Sequence, residues 1–245
     1  MVERFHRDET AAPGRARERR DPEATRQALV AAGATLFGEK GFDAVSIEDV
    51  AARAGVNKAL ISYHFKGKRG LYAEILAHGF REIASRMVAV EARAVDTAAA
   101  LHGLLQVFDA YRREHPEFPG LFMREVLSTG IEPRVLPHLA TVIGVVRRIA
   151  ARGVSEGVFR PVNPLLLHFG LVGPLVFFAA TEPARRRAVE EHGLPFPMPE
   201  MPEFLSYLEK LTLRGLAPAG RPPARRPRRV PRPSSTPPKP KGARA

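Results

Sequence analysis

Between residues 45 and 65 two helix-start signals stand eleven positions apart with a glycine between them, a spacing that admits two short helices, a tight turn and little else. Ser46 and Asp49 have capping-box spacing, with Asp as a shorter substitute for the usual Glu, and Val45 and Val50 hold the N′ and N4 positions of a hydrophobic staple. The helix they start runs to about Ala54, where Gly55 breaks it. Asn57 suits the cap of a further helix over residues 58–65. Upstream, Asp21 and Pro22 open a helix whose Leu29, Ala32, Leu36 and Phe37 share one face, and Gly41 supplies its left-handed end. Two short helices across a glycine turn, preceded by a longer one, make a helix-turn-helix pattern in a small unit spanning 21–70.

The helical reading continues over 71–217. Leu71, Ile75, Gly79, Ile83 and Met87 keep one face of a connecting helix, and Asp96 caps the next, which carries Leu101, Leu104, Leu105, Phe108 and Tyr111. Segments 121–127 and 136–152 follow. Asn163 and Pro164 open an apolar helix over 165–180, and Pro202 opens a last one through 216. No stretch keeps the two-residue period of a strand, so the chain is expected to be all-α. The 165–180 segment contains His168 and falls short of the roughly 20 residues of a membrane span, so it reads as a buried helix. Because it is apolar on nearly every face something must cover it. Together with 202–216 (Phe204, Leu205, Leu208, Leu211) it is the expected homodimer interface.

The net charge of +12 is unevenly placed: nine of the 38 Lys and Arg residues, and none of the 26 acids, fall in 218–245. A nucleic-acid assignment must therefore rest on a specific element rather than on the average. The Pro- and Arg-rich tail 218–245 and the charged arm 1–20 lack apolar periodicity and are expected to be disordered. The tail is either idle, an aid to non-specific DNA attraction, or a contact for RNA or an acidic membrane. Cysteine is absent, which removes disulfides and thiolate chemistry. The first twenty residues hold no signal-peptide core, and a cytoplasmic location is expected.

Residues 26–71 resemble the DNA-binding domain of the TetR family of transcriptional regulators. The resemblance is carried by Ala31-Ala32, Leu36-Phe37, Gly41-Phe42, Ser46-Ile47, Val50-Ala51, Ala54-Gly55-Val56, Tyr63-His64-Phe65 and Lys68. The chain departs from the pattern at Ser62, where many members carry Tyr, at Arg69, where an acid often follows the lysine, and at Leu60, commonly a small hydroxyl residue. The resemblance implies a helical ligand-binding and dimerisation domain after the helix-turn-helix. It also implies a homodimer on double-stranded palindromic operator DNA, repression (or activation) relieved by a small-molecule effector, and a four-helix dimer bundle from the last two long helices.

Geometry divides the reading helix. Ile61 and Phe65 share the face toward Ile47, Val50 and Ala54, whereas Asn57, Lys58, Ala59, Leu60, Ser62, Tyr63 and His64 remain for DNA. Lys58 suits guanine or phosphate, Ala59 or Leu60 a thymine methyl, and Tyr63 and His64 the flanking phosphates. Ser46 at a helix N-terminus and, by the resemblance, Lys68 add backbone contacts. An effector pocket, implied by the resemblance, has Phe108, Tyr111, Phe118, Phe122, Met123 and His138 as candidate walls. A competing enzyme reading starts from Gly153-Val154-Ser155-Glu156-Gly157, which matches a nucleophile elbow with Ser155 as the serine of a hydrolase. The elbow needs a preceding strand, and here a helix precedes it, so the segment reads as a helix-terminating turn and no enzyme is expected. The eight histidines are scattered, and neither a metal site nor a cofactor is indicated.

Overall fold

The computed structural model describes residues 21–128, 130–193 and 197–218. The expectations for the arm 1–20 and for 219–245 lie outside the described residues. Within them the chain forms ten α-helices, one 3-10 turn and no strand.

α1 (Pro22–Lys40) starts where Asp21 accepts a hydrogen bond from the Glu23 N–H at 3.0 Å. It packs on α2 (Ile47–Ala54) and α4 (Lys68–Arg93), while α3 (Ala59–Phe65) rests on α4. α4 is the spine of the molecule. Its N-terminal turns close the three-helix unit, and its later turns pack on α5 (Thr97–Glu114) and α7 (Leu136–Ser155). α6 (Phe118–Ser128) and α8 (Pro164–Ala180) complete the second core, followed by α9 (Glu182–His192) and α10 (Met201–Leu216). α9 and the 3-10 turn Pro133–Val135 were not anticipated. α9 buries no residue and has no apolar stripe, and its sequence marks are confined to its ends, Glu182-Pro183 in the first turn and Gly193 at the left-handed C-cap.

A single apolar cluster runs from Leu29 to Leu216 through both parts. The junction between them carries polar fasteners as well. Arg124 on α6 donates to the Phe37 and Gly38 carbonyls at the end of α1, both at 3.1 Å. Arg134 donates to the Gly70 carbonyl at 3.3 Å. Arg69, which stands where the resemblance leads one to expect an acid, pairs at 2.8 Å with Glu125 of α6, a carboxylate only 3% exposed. The departure at Arg69 therefore has a structural reason: the acid is supplied by another helix, and an acid at 69 would face it with like charge.

The Gly153–Gly157 segment ends α7. Ser155 is the last residue of that helix and its hydroxyl donates to the Arg152 carbonyl at 2.8 Å. Glu156 takes the Thr97 N–H and the Arg152 guanidinium, and those hydrogen bonds, Thr97 first, hold its carboxyl down at about 2. No single helix among the described residues is long and apolar enough to cross a membrane.

Candidate DNA-binding surface

The capping box at the start of α2 is complete. Ser46 Oγ accepts from the Asp49 N–H at 3.0 Å, and Asp49 accepts from the Ser46 N–H at 2.9 Å and from its hydroxyl at 2.6 Å. Those hydrogen bonds, the hydroxyl's first, lower the Asp49 carboxyl below its usual range. The consequence for recognition is unfavourable: the Ser46 hydroxyl is committed to an adjacent negative charge. Val45 and Val50 are buried as the staple requires.

Gly55 ends α2 with φ +65° and ψ +34°. Its N–H donates to the Ala52 carbonyl at 3.1 Å and that of Val56 to the Ala51 carbonyl at 3.0 Å, the paired bonds of a Schellman motif. α3 begins at Ala59, one residue later than expected, with Asn57 Oδ1 accepting from the Ala59 N–H at 2.8 Å. Asn57 thus acts as the cap it was read to be.

Ile61 is fully buried and Phe65 nearly so. Leu60 and His64, one turn apart, are half-buried, and Leu60 packs against the core, which turns its methyl groups partly away from any duplex. The outward face is Ala59, Ser62 and Tyr63, the last 79% exposed with its ring edge-on to His64 at 4.9 Å. Lys58 is exposed, but its Nζ lies 2.8 Å from Glu48 of α2. That hydrogen bond raises the ammonium and lowers the carboxyl. Lys68 is not extended toward solvent: its Nζ donates to the Asp43 carbonyl at 3.3 Å and sits 4.4 Å from the Phe42 ring centre.

One candidate was missed. Lys66 is exposed, lies one turn beyond Ser62, and holds φ +61° and ψ +28°, the only left-handed non-glycine among the described residues. The signal was the Lys66-Gly67 pair, in which the first residue beyond the helix takes the conformation that usually selects glycine. Gly70 matters for a different reason. A Cβ there would lie 1.7 Å from the Phe65 carbonyl oxygen, so only glycine lets α4 start against the end of α3.

With this geometry in place, two family models match the chain. One, described as bacterial regulatory proteins of the tetR family, matches residues 29–75, and the other, a tetracyclin repressor-like C-terminal domain, matches 98–190. Together they take in more than half of the chain. The chain belongs to the TetR family. As a member, it is a DNA-binding transcriptional regulator of TetR type, all-α, with its helix-turn-helix in the N-terminal unit. It is similar to the HTH-type transcriptional repressor NicS of Pseudomonas putida, 24% identical over 78% of this chain and 92% of that protein. It also resembles the probable HTH-type transcriptional regulator YttP of Bacillus subtilis, 35% identical over 42% of this chain and 50% of that one. The crystal structure of the TetR family regulator PfmR from Thermus thermophilus superposes with a TM-score of 0.60 at 24% identity, covering 78% and 99% of the two chains. That likeness concerns the fold.

The six candidate pocket residues are only partly brought together. Tyr111 and Phe118 meet edge-on at 5.1 Å, and Phe80 contacts both Phe118 (5.6 Å) and Phe122 (4.9 Å), a continuous aromatic chain joining α4, α5 and α6. Burial, aided by the charges of Glu82 and Glu117, pushes the Tyr111 phenol well up, so it stays neutral. Phe108, Met123 and His138 are half-buried, and no ring contact joins Phe108 or His138 to that chain among the described residues.

Proposed function

We propose that this regulator represses transcription as a homodimer that seats α3 in successive major grooves of a palindromic operator and releases it when a small effector binds. The observation that carries the reading is the division of α3, with Ile61 and Phe65 locked into the core and Ala59, Ser62 and Tyr63 turned outward. Those three, with Lys58, His64 and the newly recognised Lys66, are the proposed base and phosphate contacts. Lys58 reaches DNA by exchanging Glu48 for phosphate or guanine. Ser46, Asn57, Leu60 and Lys68 act chiefly by positioning, the first two as caps, Leu60 as packing and Lys68 by tying α4 to the 41–46 loop, with backbone N–H groups near Ser46 left for phosphate.

The same division supports residues 21–70 as the reading unit and 71–217 as the regulatory one. Dimerisation is assigned to α8 and α10. On α8, Leu165, Leu166, Phe169 and Phe177 are exposed, and no atom crowds the position of a Cβ at Gly170 or Gly173, which permits a partner helix to approach closely. On α10 the outward residues are Tyr207 and Leu211, whereas Leu205 and Leu208 face the protomer's own core. Repression is proposed by similarity to NicS, a transcriptional repressor. The Tyr111–Phe122 aromatic chain is the proposed wall of the effector site, the protein is not an enzyme, and it works in the cytoplasm.

Promoter fragments in a gel shift with excess random competitor test this. Preferential retention of one fragment, weakened about tenfold by Tyr63→Ala, is the expected outcome. Equal competition by every fragment, with helical content intact, overturns the reading.

A further inference from the structure

α9, residues 198–200 and the start of α10 line a half-open cavity of about 190 Å³ against the C-terminal turn of α8. Its walls include Phe178, Val189, Met198 and Met201, and one side is Arg185. The guanidinium carbon of Arg185 lies 3.9 Å from the centre of the Phe178 ring, and Phe178 in turn stacks flat on Phe204 at 4.1 Å and 2°. The cation thus rests on a stacked aromatic pair. Its Nη1 donates to the Phe178 carbonyl at 2.6 Å and to the Thr181 hydroxyl at 2.5 Å, which uses both hydrogens of that nitrogen. Nε and Nη2 remain. That edge is the one a carboxylate meets with two parallel hydrogen bonds, and no acceptor occupies it among the described residues.

Three acids, Glu182, Glu190 and Glu200, also line the cavity, and two of them are engaged by arginines. Glu182 is bridged by Arg186 at 2.9 Å and by Arg112 at 3.4 Å, and Arg186 also reaches toward Glu200 at 3.6 Å. Partial burial, only partly offset by the charge of Glu182, makes the Arg185 guanidinium easier to deprotonate than usual.

We propose that this cavity binds a small monocarboxylate with a compact apolar body, the carboxylate on the free edge of Arg185 and the body against Val189, Met198 and Met201. A void of ~150 Å³ holds a benzene ring, so the space suits a ligand on the scale of benzoate or hexanoate. The site lies outside the aromatic chain of Tyr111 and Phe118 and goes beyond the operator reading; binding alone decides it.

Titration calorimetry of the full chain with benzoate, hexanoate and neutral benzamide tests it. Both carboxylates should bind, benzamide should bind about tenfold or more weakly, and Arg185→Gln should weaken benzoate by roughly tenfold to a hundredfold. Val189→Trp, which fills the space and leaves the guanidinium in place, should abolish binding and guards against a fold change in the arginine variant. Saturation by neither carboxylate at roughly 10 mM overturns the proposal. So does equal binding of benzamide, or benzoate affinity that survives Arg185→Gln in a folded protein.

Discussion

α3 and α8 both leave a face uncovered, and the two faces have opposite chemistry. α3 turns outward Ser62, Tyr63 and a neighbouring Lys66, groups that lose little by standing in water. α8 turns outward Leu165, Leu166, Phe169 and Phe177, with Phe169 65% exposed. An exposed polar face on a short helix calls for a hydrated, charged partner, whereas an apolar one calls for a partner that excludes water. The contrast is what supports the proposal of DNA at one end of the chain and a second copy at the other.

Ile61→Asp attacks the reading end from beneath. Ile61 is fully buried, so an unpaired carboxylate there should cost about 3–5 kcal/mol and lower the denaturation midpoint sharply in a urea melt. A variant as stable as the parent would mean that α3 is not anchored by this face. Phe169→Glu attacks the other end from outside. It should leave the melt of the protomer nearly unchanged and raise the dimer dissociation constant about a hundredfold by sedimentation velocity, since central aromatic anchors contribute ~2–4 kcal/mol. A dimer that persists unchanged breaks the comparison.

Two smaller effects sharpen it. His168 lies on the inward side of α8, buried, and burial lowers its pKa below the usual 6.5. The unfolded chain then binds the extra proton first, so stability falls as pH drops below about 6.5 by at most ~1.4 kcal/mol per unit. His168→Leu should lose that component, and parallel pH profiles of the two proteins would contradict the assignment. Lys66→Gly should separate fold from recognition. Removing a side chain from a left-handed residue should stabilise the protein by about 1 kcal/mol, while the lost cation weakens operator binding a few-fold and flattens its salt dependence. Unchanged operator affinity would move the contact face off this end of α3.

What was legible in the sequence follows the range of the interaction responsible. The Ser46–Asp49 box, the Gly55 turn and the Asn57 cap join residues two to five positions apart, and each was readable because its partners are neighbours in the chain. The apolar length of α8 was equally plain. Its outward side was not, and neither was the inward turn of Leu205 and Leu208, because exposure depends on which helices pack alongside. The pairing of Lys58 with Glu48 and the restraint of Lys68 by the 41–46 loop escaped for the same reason: each long side chain is held by a residue at least ten positions away.

The sequence by itself determined that the chain is all-α, where most helices start and stop, and that residues 45–65 form a reading motif, since caps, glycines and apolar period are local physics. Tertiary structure alone decided that Arg69 finds its acid on α6, that Gly70 must admit the Phe65 carbonyl, and that Arg185 is stacked with a free edge beside a cavity. Those features depend on elements far apart in the chain meeting at ångström distances, and no pattern within one helix encodes the meeting.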